Sequence, residues 1–360
     1  MSDVIATIEG RIGCITLNRP KALNALSLDM VRDITQALLD WQNQPQVLAV
    51  VVRGMGKEGP FGAFCAGGDI RFFHQAATSG DPRLDDFFTE EYRLNHLIHT
   101  YPKPYIALMD GIVMGGGMGI SQGASVRVVT ERSKMAMPET NIGLFPDVGG
   151  GYFLSRCAGR VGEYLGLTGH TLAGEEAVHA GLADGCIPSG QLGVLWQTLT
   201  ETPFETGEAV ERWVTTRFDQ LKASGLAHRA EMDAHFALDS VTAIVAQLEA
   251  ASDEWSQNTA QLLRKRSPLM LHVVLEQIRR ARCLGLADDL RMERDLVRHC
   301  FALRPVKQSE TVEGIRALAV DKDHCPVWQP ARVEEVDAAE VAAFFVSPWP
   351  AYAHPLRELG

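Results

Sequence analysis

Paired cysteines, an uninterrupted apolar run long enough for a membrane and an excess of positive charge are all missing from this 360-residue chain. Each absence excludes a class of function. The seven cysteines, at 14, 65, 157, 186, 283, 300 and 325, form neither a disulfide framework nor a closely spaced metal-ligand pair, which points to reduced thiols and a cytoplasmic protein. With 34 Lys and Arg against 45 Asp and Glu, the formal net charge of -11 argues against a broad footprint for nucleic acid, although a local basic patch for an anionic cofactor stays open. The apolar stretch from 106 to 120 carries Asp110 and many glycines, so it is no membrane span. The first fifteen residues alternate toward strand and hold Asp3 and Glu9, unlike a secretory leader, and a soluble protein is expected. The eleven histidines show no HExxH or comparable zinc grouping, so no metal is expected. No Gly-rich group ends in the lysine and Ser/Thr of a P-loop, and no GxGxxG follows the first strand.

What is present reads as α/β construction. Residues 4 to 9 and 12 to 17 are two short strands separated by Gly10-Arg11, and Asn18-Arg19-Pro20 ends the second. Ser27 caps a helix whose apolar face is Met30, Val31, Ile34, Leu38 and Trp41. Residues 47 to 52 are a β-branched buried strand, and 53 to 64 read as loop. A short helix is expected over 70 to 77, a longer one through Tyr92, Leu94, Leu97 and Ile98, and a strand over 105 to 109. A helix follows over 118 to 124, with strands at 126 to 130 and around Met135. From Leu192 the glycine groups disappear and helical patterns take over, at 208 to 223, 240 to 250, 256 to 264, 269 to 283 and 286 to 301. Residues 304 to 330 read as irregular structure packed back on the body. These changes of texture place a boundary near 195, between a core over 1 to 195 and a helical region over 196 to 360.

Three glycine groups carry the chemistry: Ala66-Gly67-Gly68-Asp69, Gly115-Gly116-Gly117, and Gly149-Gly150-Gly151. Enolate formation beside a thioester, or attack on its carbonyl, puts negative charge on the carbonyl oxygen. Two converging backbone N–H groups stabilise that charge without reorganising, and losing one such donor costs about 3 kcal/mol. Gly68 and Gly116 are the nominees, because glycine allows close approach of a substrate to the backbone. Taken singly, each group is more often a tight turn or a close helix contact; their joint occurrence after candidate strands raises the functional reading. Glu139 follows Pro138 and Asp147 follows Pro146, so both carboxylates sit on firm loops and are candidates for one pocket. The blander alternatives make Asp147 a helix N-cap and Glu139 a salt-bridge partner. Gly119-Ile120-Ser121-Gln122-Gly123 matches a GxSxG elbow, with Asp147 and His170 or His179 in the order of a serine hydrolase, but no strand immediately precedes it.

On Asn18-Arg19-Pro20 with Ala25-Leu26, the run Phe64 to Arg71, Met114 to Gly119 and Pro138 to Gly150, the chain resembles the crotonase, or enoyl-CoA hydratase/isomerase, superfamily. With Val312 to Ala317 and Val320 to Asp323 its full length is similar to the 3-hydroxyisobutyryl-CoA hydrolase family within it. The resemblance implies an α/β fold, a crotonase-like β-β-α spiral core with a helical C-terminal region. It implies a thioester oxygen held between the N–H groups of Gly68 and Gly116, within reach of Glu139 and Asp147. Contacts to the CoA ester are implied for Ala25, Leu26, Ala66, Gly67, Asp69, Ile70, Arg71, Gly115 and Gly117, with Lys57 or Arg71 available for phosphates. A typical hydratase places one of two water-sharing glutamates where this chain has Gly119, which favours hydrolysis of a short 3-hydroxyacyl-CoA. In that scheme Glu139 is base or nucleophile and Asp147 binds the 3-hydroxyl. No cofactor beyond the CoA of the substrate is implied, and self-association is. Hydration or isomerisation of an enoyl-CoA, and non-catalytic binding of an acyl-CoA, are the competing functions.

Overall fold

The computed structural model describes residues 2–221 and 225–360. Its β-structure comprises Val4–Glu9 (β1), Ile12–Leu17 (β2), Ala49–Gly56 (β3), Gly59–Pro60 (β4), Tyr105–Met109 (β5), Ile112–Met114 (β6), Val126–Val129 (β7), Lys134–Ala136 (β8), Leu172–Ala173 (β9) and Gly185–Cys186 (β10). The chain divides into two compact units that interleave along the sequence. One comprises Met1–Gly68, Arg93–Ala136 and Thr171–Leu226; the other comprises Asp69–Tyr92, Met137–His170 and Ala227–Gly360.

The first unit holds every described strand. Its larger sheet runs β1-β2-β3-β5-β7-β10, with β4 folded back on β3. The β1–β2 pair is antiparallel, and the pairings from β2 through β10 are parallel. Strands of a parallel sheet are covered on both faces and so read as continuous apolar runs. Ala49 to Val52 and all of β5 are buried accordingly. Ile12, Val51, Ile106, Leu108, Val126 and Val128 pack against Leu195, Trp196 and Leu199 of the helix Leu192–Glu201 and against Val210 and Val214 of Gly207–Thr215. Each such aliphatic side chain withdrawn from water contributes about 1.5–3 kcal/mol. A second, three-stranded sheet runs β6-β8-β9.

The second unit is helical. The helix Pro268–Ala281 is its central post, buried along Leu269, Met270, Leu271, Val273, Val274, Leu275 and Ile278, and it packs on the helices Gly150–Ser155 and Val161–Thr168. The helix Leu286–Ala302 also packs on Gly150–Ser155. Phe73, Phe87 and Phe88 form an aromatic cluster between the helices Ile70–Ser79 and Arg83–His99, with ring centroids 4.8–5.5 Å apart.

Several expected boundaries move. β3 continues through Arg53 to Gly56, into residues read as loop. A charged residue is admitted there because the Arg53 guanidinium lies 3.6 Å from the Trp196 ring centroid and donates to Thr16 Oγ1 at 3.1 Å. The helix expected over 118–124 is Gly116–Gln122. Within 304–330, read as irregular, Ser309 caps the helix Glu310–Ile315, which continues as a wider π turn over Arg316–Val320. The helix expected over 208–223 ends at Thr215, and the last residues of that range, 222 and 223, lie outside the described residues.

Candidate active site

In the first unit the glycine groups become neighbours through backbone pairing. Cys65 N–H donates to Ile112 O at 2.9 Å and Met114 N–H to Cys65 O at 3.0 Å, which lays the chain beside β6. On its other side Ala66 N–H donates to Leu23 O at 3.0 Å and Leu26 N–H to Gly67 O at 2.8 Å, so Ala25 and Leu26 border the same loop. A Cβ at Gly67 would stand 3.6 Å from Gly116 N, which fixes how close the two groups are. Gly115, at φ 48° and ψ -119°, turns β6 into the helix Gly116–Gln122 in a conformation that side chains disfavour. The first N–H groups of a helix have no acceptor within it. Among the described residues no backbone hydrogen bond uses the N–H of Gly68 or of Gly116.

Asn24, which sequence reasoning passed over, fixes this corner. Its fully buried Nδ2 faces the carbonyls of Met55 at 3.0 Å, Ala63 at 2.9 Å and Phe64 at 3.1 Å, and its Oδ1 accepts from Arg19 N at 2.8 Å. A groove of about 300 Å³ opens beside it, lined by Pro20, Leu23, Lys57, Phe61, Ala63 and Arg132 among others. Lys57 was nominated from sequence; Arg132 was not. The Arg132 Nε donates to buried Asp110 at 3.1 Å, and its side chain is half exposed.

In the second unit Glu139 opens the 3-10 turn Glu139–Ile142 behind Pro138, and its carboxylate is buried with Oε2 lacking any partner. Among the described residues Glu139 forms no salt bridge. Burial, then the nearby Asp147 charge, holds the Glu139 carboxyl well above its ordinary range. Asp147 is buried as well and accepts a hydrogen bond from the Tyr92 hydroxyl at 2.9 Å. Burial pushes its carboxyl up to about 7, against the pull of that Tyr92 bond. Asp147 does not cap the following helix. Gly149 is the cap residue of Gly150–Ser155, whose first amides go to Glu293 and Asp289.

A third carboxyl completes the cluster. Glu91 is 1% exposed, its Oε1 has no partner, and burial, followed by the charges of Asp147 and Glu139, raises it well above the ordinary range. Its sequence signal was an acid set into the apolar stripe of Phe87, Phe88, Leu94 and Ile98, where a solvated charge has no place. Burial raises all three carboxyls and the Asp147 charge adds to the other two, so the cluster holds fewer than three charges near neutrality, and the pair Glu139 and Asp147 can exchange a proton with a bound reactant.

The remaining nominees take plainer positions. Asp69 caps the helix Ile70–Ser79 by accepting from Phe72 N at 3.3 Å; Ile70 and Arg71 form its first turn, with Arg71 exposed. Gly117 is held to glycine by Cys65 O, 2.4 Å from where its Cβ would stand. Ser121 is buried and turns its hydroxyl to Gly117 O at 2.8 Å and Met118 O at 3.2 Å within its own helix, which removes the nucleophile-elbow reading. Among the described residues no group of three or more His, Cys, Asp or Glu is placed to hold a metal ion, and no helix is long and apolar enough to cross a membrane.

Comparison with known proteins gives this geometry a lineage. The sequence model of the enoyl-CoA hydratase/isomerase family matches residues 12–345. The chain is 39% identical over 341 residues to the mitochondrial 3-hydroxyisobutyryl-CoA hydrolase of Gallus gallus, covering 93% of this chain and 86% of that one. It is 39% identical over 351 residues to the protein of the same name from Xenopus tropicalis, covering 96% and 89%. Among solved structures, a carnitinyl-CoA dehydratase from Mycobacterium thermoresistibile is 38% identical with a TM-score of 0.89, covering 99% of both chains. Those likenesses bear out the mixed α/β spiral fold with its helical C-terminal region. They overturn the cytoplasmic expectation, because both relatives are named mitochondrial. Scattered cysteines report reduced thiols and carry no address, so they cannot distinguish one reducing compartment from another. The chain belongs to the enoyl-CoA hydratase/isomerase, or crotonase, superfamily.

Proposed function

We propose that this protein hydrolyses a short 3-hydroxyacyl-CoA, with 3-hydroxyisobutyryl-CoA as the first candidate, to the free hydroxy acid and CoA. Family membership carries the coarser half of that statement, an enzyme of acyl-CoA thioester chemistry. The names of the two vertebrate relatives support the finer half. The observation that carries it is the buried, unpartnered Oε2 of Glu139 beside the protonatable Asp147.

In its ionised form Glu139 takes a proton from water as that water attacks the thioester carbonyl, or attacks the carbonyl itself to form an acyl intermediate. The free amides of Gly68 and Gly116 are assigned to the resulting oxyanion. Asp147 is assigned to the 3-hydroxyl, with the Tyr92 hydroxyl fixing the orientation of its carboxyl. Collapse of the tetrahedral intermediate breaks the C–S bond and expels the thiolate, which takes up the proton given up by water and leaves as CoA; in the second branch that water hydrolyses the acyl-Glu139 anhydride to the free acid. Lys57 and Arg132, on the groove beside Asn24, are assigned to the anionic end of CoA. Arg71, exposed on the first turn of its helix, is a further candidate.

A panel of acyl-CoA esters, followed separately for thiol release and for double-bond change, tests the proposal. Thiol release from 3-hydroxyisobutyryl-CoA is expected, with a loss of about 10²–10⁴-fold in Glu139→Gln and a comparable loss in Asp147→Asn on substrates bearing the 3-hydroxyl. Near-normal turnover in both variants sinks it. A second function has one specific observation in its favour: Glu91 supplies a second buried glutamate despite Gly119, and two glutamates suit hydration of an enoyl-CoA. Consumption of crotonyl-CoA without thiol release decides for that alternative.

A further inference from the structure

Asp147 rides on a turn that is held from both sides by distant side chains. Gln277, on the helix Pro268–Ala281, donates through Nε2 to Pro146 O at 2.6 Å and to Glu293 Oε1 at 3.1 Å. Glu293, on the helix Leu286–Ala302, accepts from Gly149 N at 2.7 Å and from Gly151 N at 2.9 Å, and Asp289 one helical turn earlier accepts from Tyr152 N at 2.8 Å. The residue before Asp147 and the second and fourth residues after it are therefore pinned from two helices of the C-terminal region. Between them Val148 stands at φ 57°, a left-handed conformation that a β-branched residue keeps only where its surroundings impose it.

Gln277, Asp289 and Glu293 have no exposure, and two carboxyls one turn apart in the interior are costly to keep. Burial lifts Asp289 to about 7 and Glu293 well above its ordinary range, so the two share a proton near neutrality. A helix start needs no such device; a serine or a water would satisfy its amides.

Resting on the function proposed above, we infer that Glu293 and Gln277 are positioning residues for Asp147: they clamp the 146–151 turn so that the Asp147 carboxyl meets the 3-hydroxyl of the substrate. The helical C-terminal region thereby takes part in the reaction without touching the reactant. A residue that acts only through Asp147 has nothing left to act on once Asp147 is disabled, whereas a general structural role lowers activity in either background.

The experiment is a double-variant cycle in the full-length protein, measuring kcat/KM for thiol release from 3-hydroxyisobutyryl-CoA. Glu293→Gln is expected to lower it by about 100-fold, the scale of a misplacement of roughly 1 Å, and to add almost nothing to Asp147→Asn. Losses that multiply in the double variant, or full activity in a folded Glu293→Gln, overturn the inference. Should Glu293→Gln fail to fold, Gln277→Met takes its place in the same cycle, since it removes the Pro146 anchor and changes no charge. If the wild-type protein releases no thiol from any ester, the proposed function falls by itself, and the clamp is then judged by NMR titration of ¹³C-labelled Asp147. That titration moves in Gln277→Met if the clamp is real, and an unmoved titration overturns it.

Discussion

Asn24 shows how one side chain can set the position of a loop. Its Nδ2 faces three buried carbonyls while its Oδ1 holds the Arg19 amide, so truncation strands several polar groups at once. Asn24→Ala is expected to cost about 3 kcal/mol, taking about 1–3 kcal/mol for each buried group left unpaired, measured by urea denaturation. A cost under about 1 kcal/mol would mean that water replaces the amide. Glu139 and Asp147 stand out because proline and glycine punctuate their loops; Glu91 was passed over, its signal being only its place in an apolar stripe. Its neighbours in sequence are Glu90 and Tyr92, and the burial of one face of the helix is what turns that pattern into an interior acid.

The helix Gly116–Gln122 depends on a single missing side chain for its approach to the chain at Cys65. Gly117→Ala places a methyl group 2.4 Å from Cys65 O, which is backbone and cannot swing aside. The helix must then shift, and a destabilisation of about 1–3 kcal/mol is expected from thermal melting. Thiol release should fall as well, because Gly116 moves with its helix; a variant as stable and active as the parent would refute both effects. Longer helices were close to their sequence pattern. Those expected over 269–283 and 286–301 are Pro268–Ala281 and Leu286–Ala302, since three or more turns of amphipathic period leave a clear trace. Val161–Thr168 leaves none, because every one of its residues is buried and no polar face marks the period. β3 overran its expected end because Arg53 is accommodated by an aromatic ring that comes from far along the sequence.

Proton linkage acts on the molecule as a whole. Among the described residues six buried carboxyls, Glu91, Glu139, Asp147, Asp289, Glu293 and Glu310, are raised by burial. The folded chain keeps protons that the unfolded chain has released above about pH 4, so their contribution is complete below the unfolded values. It declines as pH rises, through about 7 for Asp147 and Asp289. His272 works in the opposite sense, since burial depresses it and its contribution is lost as pH falls through the folded value. The six carboxyls outnumber it, and Tm is expected to be lower at about pH 8 than at about pH 6. Asp147→Asn keeps the Tyr92 bond without a titrating proton, so it should flatten that profile and raise Tm at the higher pH while lowering thiol release. A Tm that climbs with pH across this range would contradict the burial-driven shifts.

Local pattern was enough to specify the opening hairpin, the strands β3, β5 and β7, the longer amphipathic helices, the glycine groups and the two proline-flanked acids, because those features depend on residues close together along the chain. Burial, shared protons and the clamp on the Asp147 turn were decided by packing across more than a hundred residues. A carboxyl acquires its proton affinity from what excludes water around it, and those neighbours are brought together only by the folded chain.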